Sequence, residues 1–234
     1  MNAMPLVGIV LAATTAVIAA QVPLSQEPRH RVTFENVQFR ILDVNVPPGD
    51  TTLEHLHEFD IATVSMTSGT DTRLQSPGQP WSPARPPRPL GDATVTEYTG
   101  KPGSHRLETL GGSAYRLFAV ENLRTSGWST TPAASGRATK LATESRAFRI
   151  YDVRLEGERS QVMHTHAVPT IVVLISGNAM SEGPNTQAKA NAPAPVGLKQ
   201  LDQPGQWLLV PSGDTHYVVR LGTADARLVE IEVR

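Results

Sequence analysis

The chain of 234 residues contains no cysteine. Disulfide scaffolds, thiolate zinc sites, iron–sulfur clusters and cysteine nucleophiles are therefore excluded. Any metal site in this protein must be built from imidazole rings, with at most a carboxylate added.

An excess of basic residues is also missing, because 21 Lys and Arg stand against 22 Asp and Glu, for a net charge of −1. Proteins that bind nucleic acid by neutralising phosphates need such an excess, so we expect no nucleic-acid partner. The sequence also has no glycine-rich phosphate loop and no Gly-x-Ser-x-Gly nucleophile elbow. Its 19 prolines and 18 glycines predict many turns and few long helices.

Residues 1–20 are predicted to be a signal peptide. Pro5 to Ala20 is apolar or small throughout, and this run of about 16 residues is shorter than the roughly 20 that a membrane-spanning helix needs. Ala19 and Ala20 resemble a signal-peptidase site. The segment has no Lys or Arg, so an uncleaved N-terminal anchor is the alternative. We expect an exported chain, periplasmic or secreted, with no membrane span after cleavage.

The remainder of the chain contains an internal repeat of two similar sequence units. Phe39–Val44 (FRILDV) recurs 109 residues later as Phe148–Val153 (FRIYDV), and at the same offset the His-Leu-His of 55–57 falls on the His-Thr-His of 164–166. Further matches follow at an offset of 111, namely His105 with His216, Arg116 with Arg227 and Glu121 with Glu232. This register indicates an internal duplication and two similar domains.

Each copy has the pattern of short β-strands separated by turns. Apolar stretches of strand length, such as Ile171–Ile175 and Leu228–Val233, are punctuated by Pro and Gly clusters. This arrangement predicts a sandwich or a barrel. Ser76–Leu90 contains six prolines and is predicted to be a loop or an extended arm.

Six of the seven histidines form two matched triplets: His55, His57 and His105, and His164, His166 and His216. Residues i and i+2 of a strand share a face, so each His-x-His pair should project side by side. The third histidine follows a turn and can arrive from a neighbouring strand, which would create a metal site with open positions. Solvated surface pairs are the common alternative for an isolated His-x-His. Imidazole suits Fe, Mn, Zn, Ni or Cu, so the divalent transition metal is not identified. His30 lies outside both triplets and is predicted to be solvated.

The pattern resembles the cupin superfamily. In the second copy, Gly157 and His164-Thr165-His166 are similar to the first cupin motif, and Gly205-QWLLV-Pro211-Ser-Gly213-Asp-Thr-His216 matches the second motif in full. The first copy has a looser second motif, Pro102-Gly103-Ser104-His105. The resemblance implies an all-β protein of two tandem jelly-roll β-barrels (a bicupin), with a metal inside each barrel held by the histidine triplet.

The corresponding domain boundaries are a signal peptide at 1–20, an N-terminal cupin barrel at 21–125, a linker at 126–145 and a C-terminal cupin barrel at 146–234. The linker assignment rests on a stretch rich in Ser, Thr, Ala and Gly.

Cupins usually add a glutamate ligand about four residues after the second histidine, and this chain departs from that pattern. Thr170 stands there in the second copy, and Ile61 in the first. Asp60, one residue earlier, could reach the metal only if its strand bulges, and a solvated residue at a strand start is the alternative. We therefore expect three histidines, with or without Asp60, in the first barrel and three histidines alone in the second.

Two functional classes follow. In the first, three neutral ligands leave a full 2+ charge on the metal, which favours an enzyme acting on a small anionic molecule. The resemblance to cupins suggests oxygenase-like, dioxygenase chemistry, with an isomerase or a lyase also open; the catalytic residues are unknown. In the second, the missing glutamates suggest a non-catalytic periplasmic cupin that binds a small ligand or a metal. The protein is expected to be a monomer or a homodimer.

Overall fold

The computed structural model describes residues 21–130, 139–156, 160–182 and 200–234. The predicted signal peptide at 1–20 lies outside these residues, as do part of the predicted linker and Gly157 of the first cupin motif. Across the described ranges, no helix has the length and apolar character needed to cross a bilayer.

The first half of the chain forms strands β1 to β9, with one turn of 3-10 helix at Leu24–Gln26. The strands are β1 (Val22–Pro23), β2 (His30–Glu35), β3 (Phe39–Val46), β4 (His55–His57), β5 (Asp60–Ser65), β6 (Thr72–Gln75), β7 (Ala93–Thr96), β8 (Gly103–Thr109) and β9 (Tyr115–Asn122).

The second half forms strands β10 to β18. They are β10 (Thr139–Glu144), β11 (Phe148–Leu155), β12 (His164–Thr165), β13 (Thr170–Ser176), β14 (Ala179–Glu182), β15 (Gln200–Leu201), β16 (Trp207–Val210), β17 (Thr215–Arg220) and β18 (Ala226–Val233). β10 falls inside the predicted linker, where it pairs with β11 at the edge of the second half's larger sheet. The sequence pattern did not predict this strand because most of its residues are exposed and several are polar.

Each half packs a five-stranded sheet against a four-stranded sheet. In the first half these are β2-β3-β9-β5-β7 and β1-β4-β8-β6, and in the second they are β10-β11-β18-β13-β16 and β12-β17-β14-β15. The duplication is exact at the level of register, because Phe39 pairs with Asn122 in the first half and Phe148 pairs with Val233 in the second. The predicted all-β fold of two jelly rolls is confirmed.

The inner strands of the larger sheets are buried on both faces, because one face packs against the other half and the opposite face lines the strand's own barrel. Phe39 and Ile41 of β3 join a core shared with Phe148 and Ile150 of the other half. Leu42 and Val44, on the opposite face of β3, belong to the core of their own barrel. The two halves therefore meet through their larger sheets. The smaller sheets, which carry five of the six histidines of the triplets, lie on the far side of each barrel.

Candidate metal centres

The structure brings the first histidine triplet together inside the first barrel. His55 and His57 lie on β4, and His105 is the direct partner of His55 on β8. The three rings lie 4.7–5.0 Å apart, centroid to centroid. Each side chain offers a ligand atom within 4.8 Å of the others, so the three could hold one metal ion.

Hydrogen bonding holds His55 in the form that binds metals. Its Nδ1 lies 2.9 Å from the backbone oxygen of Leu53, which can only accept a hydrogen bond. Nδ1 therefore carries the proton, and Nε2 presents a lone pair. Nε2 of His55 and both ring nitrogens of His57 are buried without a hydrogen-bond partner in the described part of the chain. Orphaned buried nitrogens of this kind fit a metal ligand.

Burial keeps this triplet neutral. Desolvation, and then the charges of neighbouring histidines, lower the pKa of His55 to about 3 and that of His57 to about 2. Desolvation and the charges of His30 and Arg85 lower the pKa of His105 to about 4. All three rings are therefore unprotonated at neutral pH, as metal binding requires.

The second triplet has the same backbone arrangement, with His164 on β12 opposite His216 on β17 and His166 just beyond the end of β12. The Nε2 atom of His166 lies 3.1 Å from that of His164 and 3.0 Å from that of His216. Two nitrogens bound at right angles to one ion at about 2.1 Å would stand about 3.0 Å apart. The triplet thus has the spacing of ligands around one ion.

The ring tautomers of the second triplet also favour a cation. Nδ1 of His164 lies 2.9 Å from the backbone oxygen of Val162, the counterpart of Leu53 in the first half. Nδ1 of His166 lies 2.8 Å from Oε1 of Glu232. Both Nδ1 atoms therefore donate, and the two Nε2 lone pairs face each other. A metal ion between them would relieve this repulsion, and Glu232 would orient the His166 ring.

Glu230 is a fourth candidate ligand in the second centre, in addition to the three histidines that the sequence predicted there. One oxygen, Oε2, lies 3.6 Å from Nε2 of His164 and 3.8 Å from Nε2 of His166. This oxygen is buried and accepts no hydrogen bond from the described residues. Burial alone would raise the pKa of Glu230, but the close approach of His164 and the charges of His216 and His166 lower it to about 2. A buried, ionised and unpartnered carboxylate oxygen requires a cation nearby.

Sequence reasoning missed Glu230 because it looked for the acid close to the His-x-His pair. Glu230 lies instead on β18, which neighbours β13, the strand of Thr170. The available signal was a glutamate at every second position of an otherwise apolar strand, Glu230 and Glu232 within Leu228–Val233.

The structure places Asp60 away from the first triplet. Its Oδ1 accepts hydrogen bonds from the amides of Tyr98 (2.8 Å) and Thr99 (2.7 Å), and its Oδ2 accepts one from Nε of Arg146 (3.0 Å). No bulge interrupts the pairing of β5, and the side chain is buried in this network. Asp60 is therefore neither solvated nor grouped with His55, His57 and His105, and the first centre consists of three histidines among the described residues.

His30 is also not solvated, contrary to the prediction. It is 9% exposed, its Nδ1 lies 2.5 Å from Oε2 of Glu27, and its ring centroid is 4.6 Å from that of His55. The pair is formed by the segment that enters β2, where the sequence Pro-Arg-His-Arg reads as a polar surface stretch.

The first centre opens into a cavity of about 350 Å³. His30, His55, His57 and His105 line it together with apolar residues, threonines, Tyr98, Tyr115, Arg85 and Arg88. No aspartate or glutamate is among its lining residues. The cavity is thus a positively charged pocket of the size of a small organic ligand.

Comparison with known proteins relates this architecture to cupins. No protein-family model matches the chain, and no curated protein matches it in sequence. Among solved structures, the cupin 2 conserved barrel domain protein from Leptotrichia buccalis matches with a TM-score of 0.51 and 9% identity, over 87% of this chain and 88% of that one.

Two further structures match over most of their length. AerE from Microcystis aeruginosa gives a TM-score of 0.57 and 14% identity over 89% of this chain and 98% of AerE. Salicylate 1,2-dioxygenase from Pseudaminobacter salicylatoxidans gives 0.59 and 10% identity over 88% of this chain and 77% of the enzyme. At these identities the likeness concerns the fold. With two jelly rolls and a histidine group in each, the chain has the two-barrel cupin fold that its motifs predicted.

Proposed function

We propose that this protein is a metal-dependent enzyme that acts on a small anionic molecule in the first barrel. The observation that carries this proposal is the first triplet, whose neutral imidazoles line a cavity of about 350 Å³ and have buried ring nitrogens that no described residue contacts by a hydrogen bond. A coordination shell of three histidines leaves positions for substrate.

The residues around the triplet can bind and orient such a molecule. A divalent metal, when bound there, would supply Lewis-acid polarisation of substrate oxygens or activation of dioxygen. Arg88 is held at one wall by hydrogen bonds to Oγ1 of Thr63 (3.0 Å) and to the Asp92 carboxylate (2.9 Å). Val44 and Leu117 contribute apolar surface that excludes water. The shared fold with a salicylate 1,2-dioxygenase supports oxygenase-like chemistry, and an isomerase or lyase would use the same pocket.

The second barrel favours a metal-binding role without catalysis. Glu230 brings its group to four candidate ligands, which leaves fewer positions for substrate and offsets part of the metal charge. This contrast supports one active barrel and one barrel that only binds a metal. The non-catalytic alternative would then apply to the second barrel alone.

Metal analysis of purified chain loaded with Fe(II), Mn(II) or Zn(II) tests the proposal. We expect roughly two ions per wild-type chain and a loss of about one in each of the variants His55→Ala and His164→Ala, since each removes one neutral ligand. Oxygen uptake and product formation with small aromatic and aliphatic carboxylates should be lost in His55→Ala and retained in His164→Ala. A wild-type chain that binds none of these metals, or that keeps full activity as His55→Ala, contradicts the proposal.

We also propose that the protein is exported, on the apolar composition of residues 1–20 and the small residues Ala19 and Ala20. Mass spectrometry of the protein from a periplasmic or secreted fraction should find a mature chain lacking about the first 20 residues. An intact N-terminus on a membrane-bound chain would favour the uncleaved anchor.

A further inference from the structure

Arg85 differs from the other arginines in the described part of the chain. Every other one donates at least one side-chain hydrogen bond to a carboxylate, an amide or a backbone oxygen. The Arg85 side chain is exposed to solvent, lines the cavity of the first centre, and makes no hydrogen bond or ion pair with any described residue. A guanidinium left without an anion beside a binding pocket is a ready partner for an anionic ligand.

The backbone of Arg85 is fixed even though its side chain is free. Its amide donates to the backbone oxygen of Thr72 (2.7 Å), and its backbone oxygen accepts from the amide of Thr72 (3.2 Å), so Arg85 forms a bridge to β6. Two prolines follow it directly and restrict the chain further. The proline-rich arm Ser76–Leu90 therefore holds a charged side chain at the mouth of the pocket.

Two more features hold the arm against the barrel. The ring of Trp81 packs against the guanidinium groups of Arg73 and Arg106, whose Cζ atoms lie 4.8 Å and 5.0 Å from the ring centroid. The amide of Ser82 donates to the backbone oxygen of Leu74 (2.8 Å). Because the arm is anchored at several points, its backbone loses little conformational entropy when a ligand binds, and only the Arg85 side chain remains to be ordered.

Of the two arginines that line the pocket, only Arg88 has a carboxylate partner among the described residues. Arg88 is already engaged by Asp92 and Thr63, which leaves Arg85 as the cation that is available to a ligand. The lining contains no carboxylate, and a divalent metal at the triplet would add further positive charge.

We propose that Arg85 binds the carboxylate of a small organic acid whose other end lies at the histidine triplet, and that the proline-rich arm is the element that selects this class of substrate. The inference rests on the proposed function for the location of the reacting end, but the binding of a carboxylate by Arg85 does not depend on the metal.

The test compares carboxylate and neutral probes in matched variants. Binding of benzoate and of phenol is measured by calorimetry on metal-free and on Zn(II)-loaded protein, for the wild type, Arg85→Met and Arg85→Lys. The control is Arg31→Met, which removes an exposed arginine outside this cavity that is paired with Asp43. Thermal unfolding of every variant establishes that it is folded.

We expect Arg85→Met to weaken benzoate binding about tenfold or more, the loss of one charge-assisted contact, and to leave phenol binding within about twofold. Arg85→Lys should recover part of the affinity, because it keeps the charge but not the two-pronged donor. Arg31→Met should bind both probes as the wild type does.

The proposal is overturned if Arg85→Met binds benzoate as tightly as the wild type, or if the wild type does not prefer benzoate to phenol. Metal content is measured on the same samples. A wild type that binds no Zn(II) yet loses benzoate affinity in Arg85→Met would contradict the metal-dependent enzyme and leave the role of Arg85 intact. If the wild type binds Zn(II) but Arg85→Met keeps its affinity for benzoate, the role of Arg85 is contradicted and the metal-dependent enzyme is left intact.

Discussion

One carboxylate distinguishes the two candidate metal centres. Glu230 lies among His164, His166 and His216, whereas Ala119, at the corresponding position of the first half, has no group that could bind a metal. A carboxylate ligand lowers the net charge of the centre, so two centres with equivalent histidines should differ in affinity and in reactivity. This difference arises from a single side chain on an otherwise duplicated strand.

We predict that Glu230→Gln weakens metal binding at the second centre more strongly than Glu232→Gln does. Glu232 acts through the His166 ring, and the loss of such an outer partner costs about 10–100-fold in affinity. Glu230→Gln removes the negatively charged candidate ligand itself. Competition with a chromophoric chelator, in a His57→Ala background that disables the first centre, measures both values. Equal affinities for Glu230→Gln and its parent would exclude Glu230 as a ligand.

At the scale of elements, the first centre depends on how closely β8 approaches the loop before it. Tyr98 stacks on His57 with ring centroids 4.6 Å apart and an angle of 16° between the rings. The same ring covers Gly103, at the start of β8, so closely that an added Cβ would lie 2.8 Å from Cε1 of Tyr98. The glycine of the looser cupin motif therefore makes room for the aromatic wall of the pocket.

We predict that Gly103→Ala destabilises the protein by about 1–3 kcal/mol, since an overpacked site must displace the Tyr98 ring. Chemical denaturation measures the free energy of unfolding. Gly112→Ala is the matched control, because a Cβ there meets nothing within 4 Å, and it should change stability little. If both variants unfold alike, the contact between Gly103 and Tyr98 does not constrain the pocket.

At the scale of the whole molecule, the two halves are joined by polar contacts as well as by the shared core. Asn122, at the end of β9, donates to the backbone oxygens of Ala147 (3.1 Å) and Arg234 (3.0 Å) in the other half. Asp60 at the start of β5 pairs with Arg146, just before β11. These contacts, which involve the buried side chains of Asn122 and Asp60, link one barrel to the other.

The Asp60–Arg146 pair should make stability depend on pH in the acidic range. Burial raises the pKa of Asp60, but hydrogen bonds from Arg146 and from the amides of Thr99 and Tyr98 outweigh it and lower the pKa below its usual value. The folded state then binds this proton less readily than the unfolded state does. The stabilisation is present above the unfolded pKa of about 3.9 and is lost as the pH falls through the lower folded value.

We predict that Arg146→Met costs about 1–3 kcal/mol at neutral pH, because it leaves a buried carboxylate with fewer partners. It should also flatten the dependence of stability on pH in the acidic range, because the folded pKa of Asp60 moves up towards its unfolded value and protonation then removes less stability. Urea unfolding across the pH range 3–7 measures both effects. Arg154→Met, in an exposed pair with Asp152, is the control and should cost at most about 1 kcal/mol. An unchanged pH profile in Arg146→Met would mean that Asp60 is held by its amide donors alone.

Much of this architecture is readable in the linear chain. Three features are patterns of residue spacing: the duplication, the alternation of strand residues and the two histidine triplets. Such patterns can be recognised without knowing which strands pair. The strands carrying each triplet proved to be neighbours with His55 opposite His105 and His164 opposite His216, as a turn-linked pattern suggested.

The contacts that define the chemistry of each centre depend on how the barrels close. Glu230, His30 and Arg85 reach their sites from strands or segments far away in sequence, and Asp60 finds its partner in the other half of the molecule. No local pattern encodes these meetings, because the direction of a side chain depends on register and sheet closure, and a shift of one residue would turn it to the opposite face. The sequence therefore determines the two histidine triplets, whereas the tertiary structure determines which other groups surround them.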